Sequence, residues 1–197
     1  LGNKGWAYKD LLPIFKKLEN FEPGADDFHG QGGPLNIANA TYTNPMCEVF
    51  IKAGQELGYP RNDDFCGPSQ EGVGLYQVTT KNGKRHSAAS AFLNPVIKRS
   101  NLTVMTKVTV NKVIIEDKQA VGVSISQNGQ NSNIRAHKEV ILSAGTIGSP
   151  QLLLLSGIGP EDHLNDKNVA LVHDLPGVGE NLQEHWHVNK IDKSSRK

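Results

Sequence analysis

Cysteine is nearly absent: Cys47 and Cys66 are the only two in 197 residues. Two thiols build neither a disulfide framework nor, unaided, a zinc site, and one disulfide or two free thiols both stay open. Long apolar runs are absent too. The charge-free stretch 140–160 is interrupted by Ser143, Gly145, Thr146, Gly148, Ser149, Pro150 and Gln151, leaving Leu152–Leu155 as its longest apolar run. A membrane helix needs about 18 apolar residues, so no transmembrane segment is expected. Neither sign of charge dominates: charged residues make up 21% and the net charge is +1. That excludes disorder driven by charge excess and a nucleic-acid-binding protein built on a broad basic field. The amino end has no basic stretch leading into an apolar core, so no signal peptide is visible. It does not begin with Met either, and the expectation is that the chain starts within a longer protein.

What is present suffices for a core. Hydrophobic residues reach 37%, and a chain of this length buries roughly 70% of its unfolded surface. Charge is uneven, with residues 1–75 net acidic and 76–197 net basic. The tail 190–197 carries Lys190, Lys193, Arg196 and Lys197 against Asp192 alone and is set apart from the fold. Asn39-Ala40-Thr41 and Asn101-Leu102-Thr103 are glycosylation sequons, which favour a secreted location.

The first third reads as helices and loops. Leu11, Leu12, Ile14, Phe15 and Leu18 form a helical apolar face, with Pro13 opening its second turn. Asn44 caps a second helix with Pro45 at its first position, and Gly58 ends it. Ser87 caps a third, running to Pro95. The middle then changes period. Leu102–Met105, Val108–Ile115, Ala120–Ser126 and Ile134–Leu142 are rich in β-branched residues. Asp117-Lys118-Gln119 and Asn128-Gly129 are turn signals between them, and Asn-Gly favours a type I′ hairpin. An antiparallel meander follows. Beyond it, Ser149 is expected to cap a helix opened by Pro150 and closed by Gly157. A short helix starts at Pro160 and a strand covers Ala170–His173.

Candidate chemistry is sparse. Gly72-Val73-Gly74, Gly157-Ile158-Gly159 and Gly177-Val178-Gly179 hint at phosphate loops, but none completes a three-glycine fingerprint; each reads as a turn or helix cap. His185 and His187 flank Trp186, so on a strand they would share a face as a metal pair. They lack a third and fourth ligand, and no metal site is assigned. No Gly-x-Ser-x-Gly elbow exists for a serine hydrolase. Lys81-Asn82-Gly83-Lys84-Arg85 reads as an exposed hairpin tip. Composition and spacing alone therefore give a mixed α and β chain without a complete active site.

One segment is far more specific. Gly145-Thr146-Ile147-Gly148-Ser149-Pro150-Gln151, continuing through Leu152–Leu155 to Ser156-Gly157-Ile158-Gly159, resembles the second signature of the glucose–methanol–choline (GMC) flavoprotein oxidoreductases. Other segments agree in the same order: Gly5-Trp6 with Leu12-Pro13-Ile14-Phe15-Lys16-Lys17, and His29-Gly30-Gln31-Gly32-Gly33-Pro34-Leu35. Asn82-Gly83-Lys84-Arg85-His86-Ser87, Asn101-Leu102-Thr103-Val104 and Leu175-Pro176-Gly177-Val178-Gly179-Glu180-Asn181-Leu182-Gln183 follow. The flavour is that of insect glucose-dehydrogenase-like and choline-dehydrogenase-like members.

The resemblance implies a mixed α/β fold: part of an FAD/NAD(P)-binding Rossmann-like domain with an antiparallel meander, plus the helical part of a substrate domain. Residues 1–189 would be the family's N-terminal region, with 1–85 mostly substrate-side helices and loops and 86–189 part of the FAD domain. It implies FAD as cofactor and a small-molecule alcohol as substrate, oxidised by hydride transfer to the flavin while a His base takes the hydroxyl proton. The family's pyrophosphate-binding Gly-x-Gly-x-x-Gly turn and its catalytic His have no counterpart here. No residue is therefore assigned a catalytic role, and an internal fragment inactive by itself is expected. Val110 matches a valine whose main chain binds the adenine of FAD, and Ser143, Ala144 and Gly145 match a strand end that approaches the cofactor. The rival expectation, motivated by the basic tail, is a truncated non-enzymatic product acting as a binding or structural protein.

Overall fold

A computed structural model describes residues 2–185, 187 and 188. The basic tail and Trp186 lie outside the described residues. The chain divides into two compact units, Leu1–Val104 and Met105–Lys197.

In the first unit, helix α1 (Tyr8–Leu18) runs straight into strand β1 (Glu19–Phe21), which pairs in parallel with β2 (Leu35–Ile37). Asp10 accepts a hydrogen bond from the Ala7 N–H at 3.2 Å, steadying the first turn of α1. Pro13 sits inside that helix, in its second turn, as expected. The Gly-rich loop between β1 and β2 turns back tightly over α1: a Cβ on Gly30 would collide with the Lys16 carbonyl. These glycines serve close backbone approach. Helix α2 (Pro45–Glu56) starts as the sequence foretells, with Asn44 Oδ1 accepting from the Met46 N–H at 2.9 Å. Strands β3 (Thr80–Lys81) and β4 (Lys84–Arg85) form the expected hairpin around Asn82-Gly83, both at positive φ. Ser87 does cap a helical segment, its Oγ accepting from the Ser90 N–H, but the segment Ala89–Leu93 winds as a π-helix.

The core of this unit holds Phe21, Ala38, Ile51 and Ala91 around two buried polar side chains, His29 and Asn36. Asn36 is fully used. Its Nδ2 donates to Glu22 Oε1 and the Thr80 carbonyl, both at 2.6 Å, and its Oδ1 accepts from Asn20 at 2.7 Å. One carboxamide thus ties β1, β2 and β3 together, which is how a buried amide avoids its desolvation cost.

The second unit is built on the meander β5 (Val108–Glu116), β6 (Gln119–Gln127) and β7 (Gln130–Arg135), antiparallel throughout. Both connections are two-residue turns with left-handed residues, Asp117-Lys118 and Asn128-Gly129, the geometry that matches strand twist. Helix α3 (Gly145–Leu155) packs on β5. A two-residue strand β8 (Ile158–Gly159), helix α4 (Glu161–Asp166) and strand β9 (His173–Asp174) close the unit, with β8 and β9 parallel. Val113, Ile125, Leu164 and Val178 form its core.

Four local expectations are corrected. Leu102–Met105 makes no strand, and the strand expected over Ile134–Leu142 stops at Arg135. Val140–Leu142 is apolar enough for a parallel strand, but such a strand exists only when paired on its flanks, and none of the described strands pairs with it. The strand expected at Ala170–His173 is displaced to His173–Asp174. Helix α3 starts at Gly145, four residues before the Ser149-Pro150 signal. Ser149 still caps, but from within: its Oγ accepts from the Ala144 N–H at 3.0 Å.

Candidate functional site

The site begins with an irregularity in β5. Val110 pairs with Ile125 and Lys112 with Ser124, so Asn111 is an extra residue in a β-bulge. Antiparallel pairs alternate between hydrogen-bonded and non-hydrogen-bonded positions, and two bonds fix the phase here. The Val113 N–H points away from β6 and donates to Ser156 Oγ at 2.8 Å. Its partner Val123 therefore faces β7, and Ile125, two residues on, does the same; the Ala136 N–H to Val121 carbonyl bond (2.9 Å) agrees with that phase. Val110, opposite Ile125, consequently turns both its N–H and its C=O to the open edge of the sheet. Were Asn111 paired as an ordinary strand residue instead of bulged, the alternation would present Asn111 there and turn Val110 towards β6.

That edge forms one wall of a cleft of about 560 Å³. Thr109, Val110 and Asn111 line it from β5; Ala144, Gly148, Gln151, Leu152 and Leu155 line it from α3 and its start. The helical contributors follow the three-and-four spacing of one helix face. Of the four residues singled out from the sequence, the structure brings Val110 and Ala144 together in this cleft. Ser143 and Gly145 are exposed on either side of Ala144 and are not part of its lining. Gly148 keeps this approach close, since a Cβ there would lie 3.0 Å from Ala144 Cβ, tighter than an ordinary contact. Gly148, Gln151, Leu152 and Leu155 were missed by sequence reasoning, although their spacing from Ala144 was a usable signal. The bulge at Asn111 left none.

Asn111 is held firmly. Its Nδ2 donates to Ser126 Oγ at 2.9 Å, and that hydroxyl lies within hydrogen-bond reach of both Asn111 Oδ1 and Asn131 Oδ1. A polar bridge thus spans β5, β6 and β7 beside the cleft. Ser156, itself buried, fixes the other side: besides receiving the Val113 N–H, its hydroxyl donates to the Leu152 carbonyl at 2.5 Å, pinning α3 to β5.

No lining residue is ionisable. The cleft can bind and orient, but it offers no group to move a proton. Its chemistry is that of a slot for a flat, largely apolar molecule, with Val110, Leu152 and Leu155 as walls and one main-chain donor and acceptor on its rim.

A second cluster lies wholly in the first unit. His29 is 4% exposed and stacks on Phe21 at 3.9 Å. Its Nδ1 lies 3.1 Å from Glu19 Oε1 and its Nε2 3.0 Å from Asp64 Oδ2. Asp26, His29 and Asp64 bring ligating atoms within 4.8 Å of one another, but both ring nitrogens already have carboxylate partners. The cluster ties β1, the Gly-rich loop and the 62–67 turn together. Slight burial pulls the Asp26 carboxyl upward; the Phe28 and His29 N–H groups, with the charges of His29 and Lys16, outweigh it and hold it below the usual carboxylate value. Burial, then the charges of Asp64 and Glu19, push the Cys66 thiol up. Both cysteines are free. His185 and His187 join no group of three ligating side chains among the described residues, and no described helix is long and apolar enough to cross a membrane.

The family model of GMC oxidoreductases matches residues 1–187. The chain belongs to the GMC oxidoreductase family. It is 47% identical over 189 residues to an oxygen-dependent choline dehydrogenase of Photobacterium profundum, covering 95% of this chain and 33% of the relative. The corresponding Brucella ovis protein is 46% identical over 187 residues, 95% of this chain and 34% of the relative. Among solved structures it resembles an FAD-dependent oxidoreductase from Chaetomium thermophilum, with a TM-score of 0.87 and 33% identity, over 93% of this chain and 34% of that one. Pyridoxine 4-oxidase from Mesorbium loti gives a TM-score of 0.80 and 35% identity, over 89% and 35% of the two chains. The chain thus spans about a third of the length of the curated relatives it matches. The GMC fold seen here is mixed α/β, a partial Rossmann-like FAD-binding fold carrying the antiparallel meander.

Proposed function

We propose that this chain is the part of an FAD-dependent alcohol oxidoreductase that holds the adenine end of the flavin dinucleotide. The observation that carries the reading is the pair of main-chain groups of Val110 turned to an open sheet edge, in the same cleft as Ala144. The donor set fits the group. A residue's N–H and C=O on one edge match the acceptor and donor that adenine presents side by side. The apolar walls suit its faces. Gly148 keeps the floor low, and a Cβ at Gly145 would meet nothing within 4 Å, leaving room where the ligand continues past Ser143 and Gly145.

When bound, FAD supplies the hydride acceptor that oxidises a CH–OH carbon. This chain's residues do the holding. Val110 pairs with the base edge, Leu152 and Leu155 exclude water from its face, and Ser156 keeps the two walls at a fixed separation. With no ionisable side chain in the cleft, proton transfer falls to residues elsewhere, and residues 1–197 by themselves are inactive. The substrate class is a small alcohol, and the choline dehydrogenases among the relatives make choline the first to try.

Two measurements test this reading. The longest natural form of the protein should co-purify with FAD and, mixed anaerobically with choline or another small alcohol, lose the visible absorption of oxidised flavin. Residues 1–197 alone with added FAD should turn over none of these alcohols. Turnover by the 197-residue chain would overturn its inactivity; a longest form indifferent to FAD would overturn the cofactor assignment.

A further inference from the structure

We propose that Asn111 is a positioning residue: its bulge, clamped by Ser126 and Asn131, aims the Val110 main chain at the base and so makes the cleft selective for adenine. The inference rests on the adenine reading above and extends it from a contact to the device that creates the contact.

Val113 and Val110 both face the open edge, although they are three residues apart. In an unbroken strand, residues an odd number apart face opposite ways. Bulging Asn111 out of the alternation keeps the two in phase. It also leaves the strand with a choice, because a β-bulge can migrate or vanish unless something holds it. Here the holding group is the Asn111 carboxamide. Both its Nδ2 and its Oδ1 engage Ser126 Oγ, at 2.9 and 3.3 Å, and Ser126 in turn meets Asn131 on β7. The side chain of Asn111 is thereby committed to the sheet, although the residue lines the cleft. It acts on the ligand through Val110.

A base selected by a main-chain N–H and C=O is selected by polarity. Adenine offers an acceptor beside a donor. Hypoxanthine reverses both, with an N–H where adenine has an acceptor nitrogen and a carbonyl where adenine has its amino group. The experiment compares the affinity of FAD with that of flavin hypoxanthine dinucleotide, by flavin fluorescence, in the longest natural form of the protein stripped of flavin. The unmodified protein should prefer FAD by about tenfold or more, the size of one or two lost hydrogen bonds. Asn111→Ala keeps the extra residue but releases the bulge from Ser126, so the strand can regularise and turn Val110 away, and it should lower the preference about threefold. Asn111→Asp, which keeps an acceptor for Ser126, should retain it. A merely structural role would weaken both dinucleotides in parallel and leave the ratio unchanged, and that result in Asn111→Ala overturns the proposal. An unmodified protein with no preference removes the adenine reading itself, and this inference with it.

Discussion

At the scale of single residues, burial and partners decide what each group can do. Cys66 is exposed, yet burial of its thiol and the nearby charges of Asp64 and Glu19 resist ionisation. Since the thiolate is the reactive form, iodoacetamide at neutral pH should label Cys66 more slowly than a free cysteine; timed mass spectrometry checks this. Equal or faster labelling would contradict the stated environment. Asp26 behaves in the opposite sense. Its pKa in the folded protein lies below the ordinary carboxylate value, so its contribution is present above that ordinary value and lost as pH falls through the lower, folded one. Asp26→Asn should therefore lower stability at neutral pH and converge with the parent below about pH 4, which flattens the acid limb of the stability-against-pH curve. His29→Ala leaves Glu19 and Asp64 facing each other without the ring between them. The expected cost is on the order of 3 kcal/mol, measured by denaturant unfolding. The residues of this cluster were legible in the sequence only as a Gly-rich family motif. Nothing in His29-Gly30-Gln31-Gly32-Gly33 says that Asp64, thirty-five positions away, will meet His29.

At the scale of elements, the sequence spoke clearly where a local rule suffices. Asn44-Pro45 opens α2, and Asn128-Gly129 turns β6 into β7, because each depends on dihedral angles and one side-chain bond. It spoke less clearly where the answer depends on partners. Ser149-Pro150 carries a helix-start signal, but Gly145, at φ 84°, lets α3 begin a full turn earlier, and Ser149 then caps backward. Ser156 is at once the C-cap of α3 and the pin between α3 and β5. Ser156→Ala should leave the Val113 N–H unsatisfied and cost about 1–3 kcal/mol, with loss of flavin affinity in step as α3 loosens. Unfolding of the variant at the same denaturant concentration as the parent would show that the N–H finds another partner. The bulge at Asn111 had no local signal at all, since Val-Asn-Lys within β-branched neighbours reads as plain strand.

At the scale of the whole molecule, much apolar surface has no cover within these residues. Helix α3 is apolar along most of its length yet has no fully buried residue, and Ile147 is 71% exposed. A helix apolar all round is built for an interior. The second unit guards β7 with the Glu116–Arg135 ion pair and a polar edge, the usual defence against strand addition, but α3 has no such defence. Residues 1–197 alone should therefore self-associate, and Ile147→Asp should reduce light scattering by the isolated chain. Scattering unchanged by the substitution would locate the sticky surface elsewhere. The two exposed sequons, at Asn39 and Asn101, support a proposal of passage through a secretory compartment; a mass shift on enzymatic deglycosylation of the native protein is the outcome it expects.

The central claim is that Val110 presents its main chain to the base of FAD, and Val110→Pro tests it most directly. Proline removes the N–H, and it is tolerated on an edge strand where that N–H does not serve the sheet. Flavin-stripped protein in its longest natural form, titrated with FAD and with FMN, should lose about fivefold to tenfold in FAD affinity and keep its FMN affinity, with the melting temperature nearly unchanged. A variant that binds FAD as tightly as the parent would contradict the account.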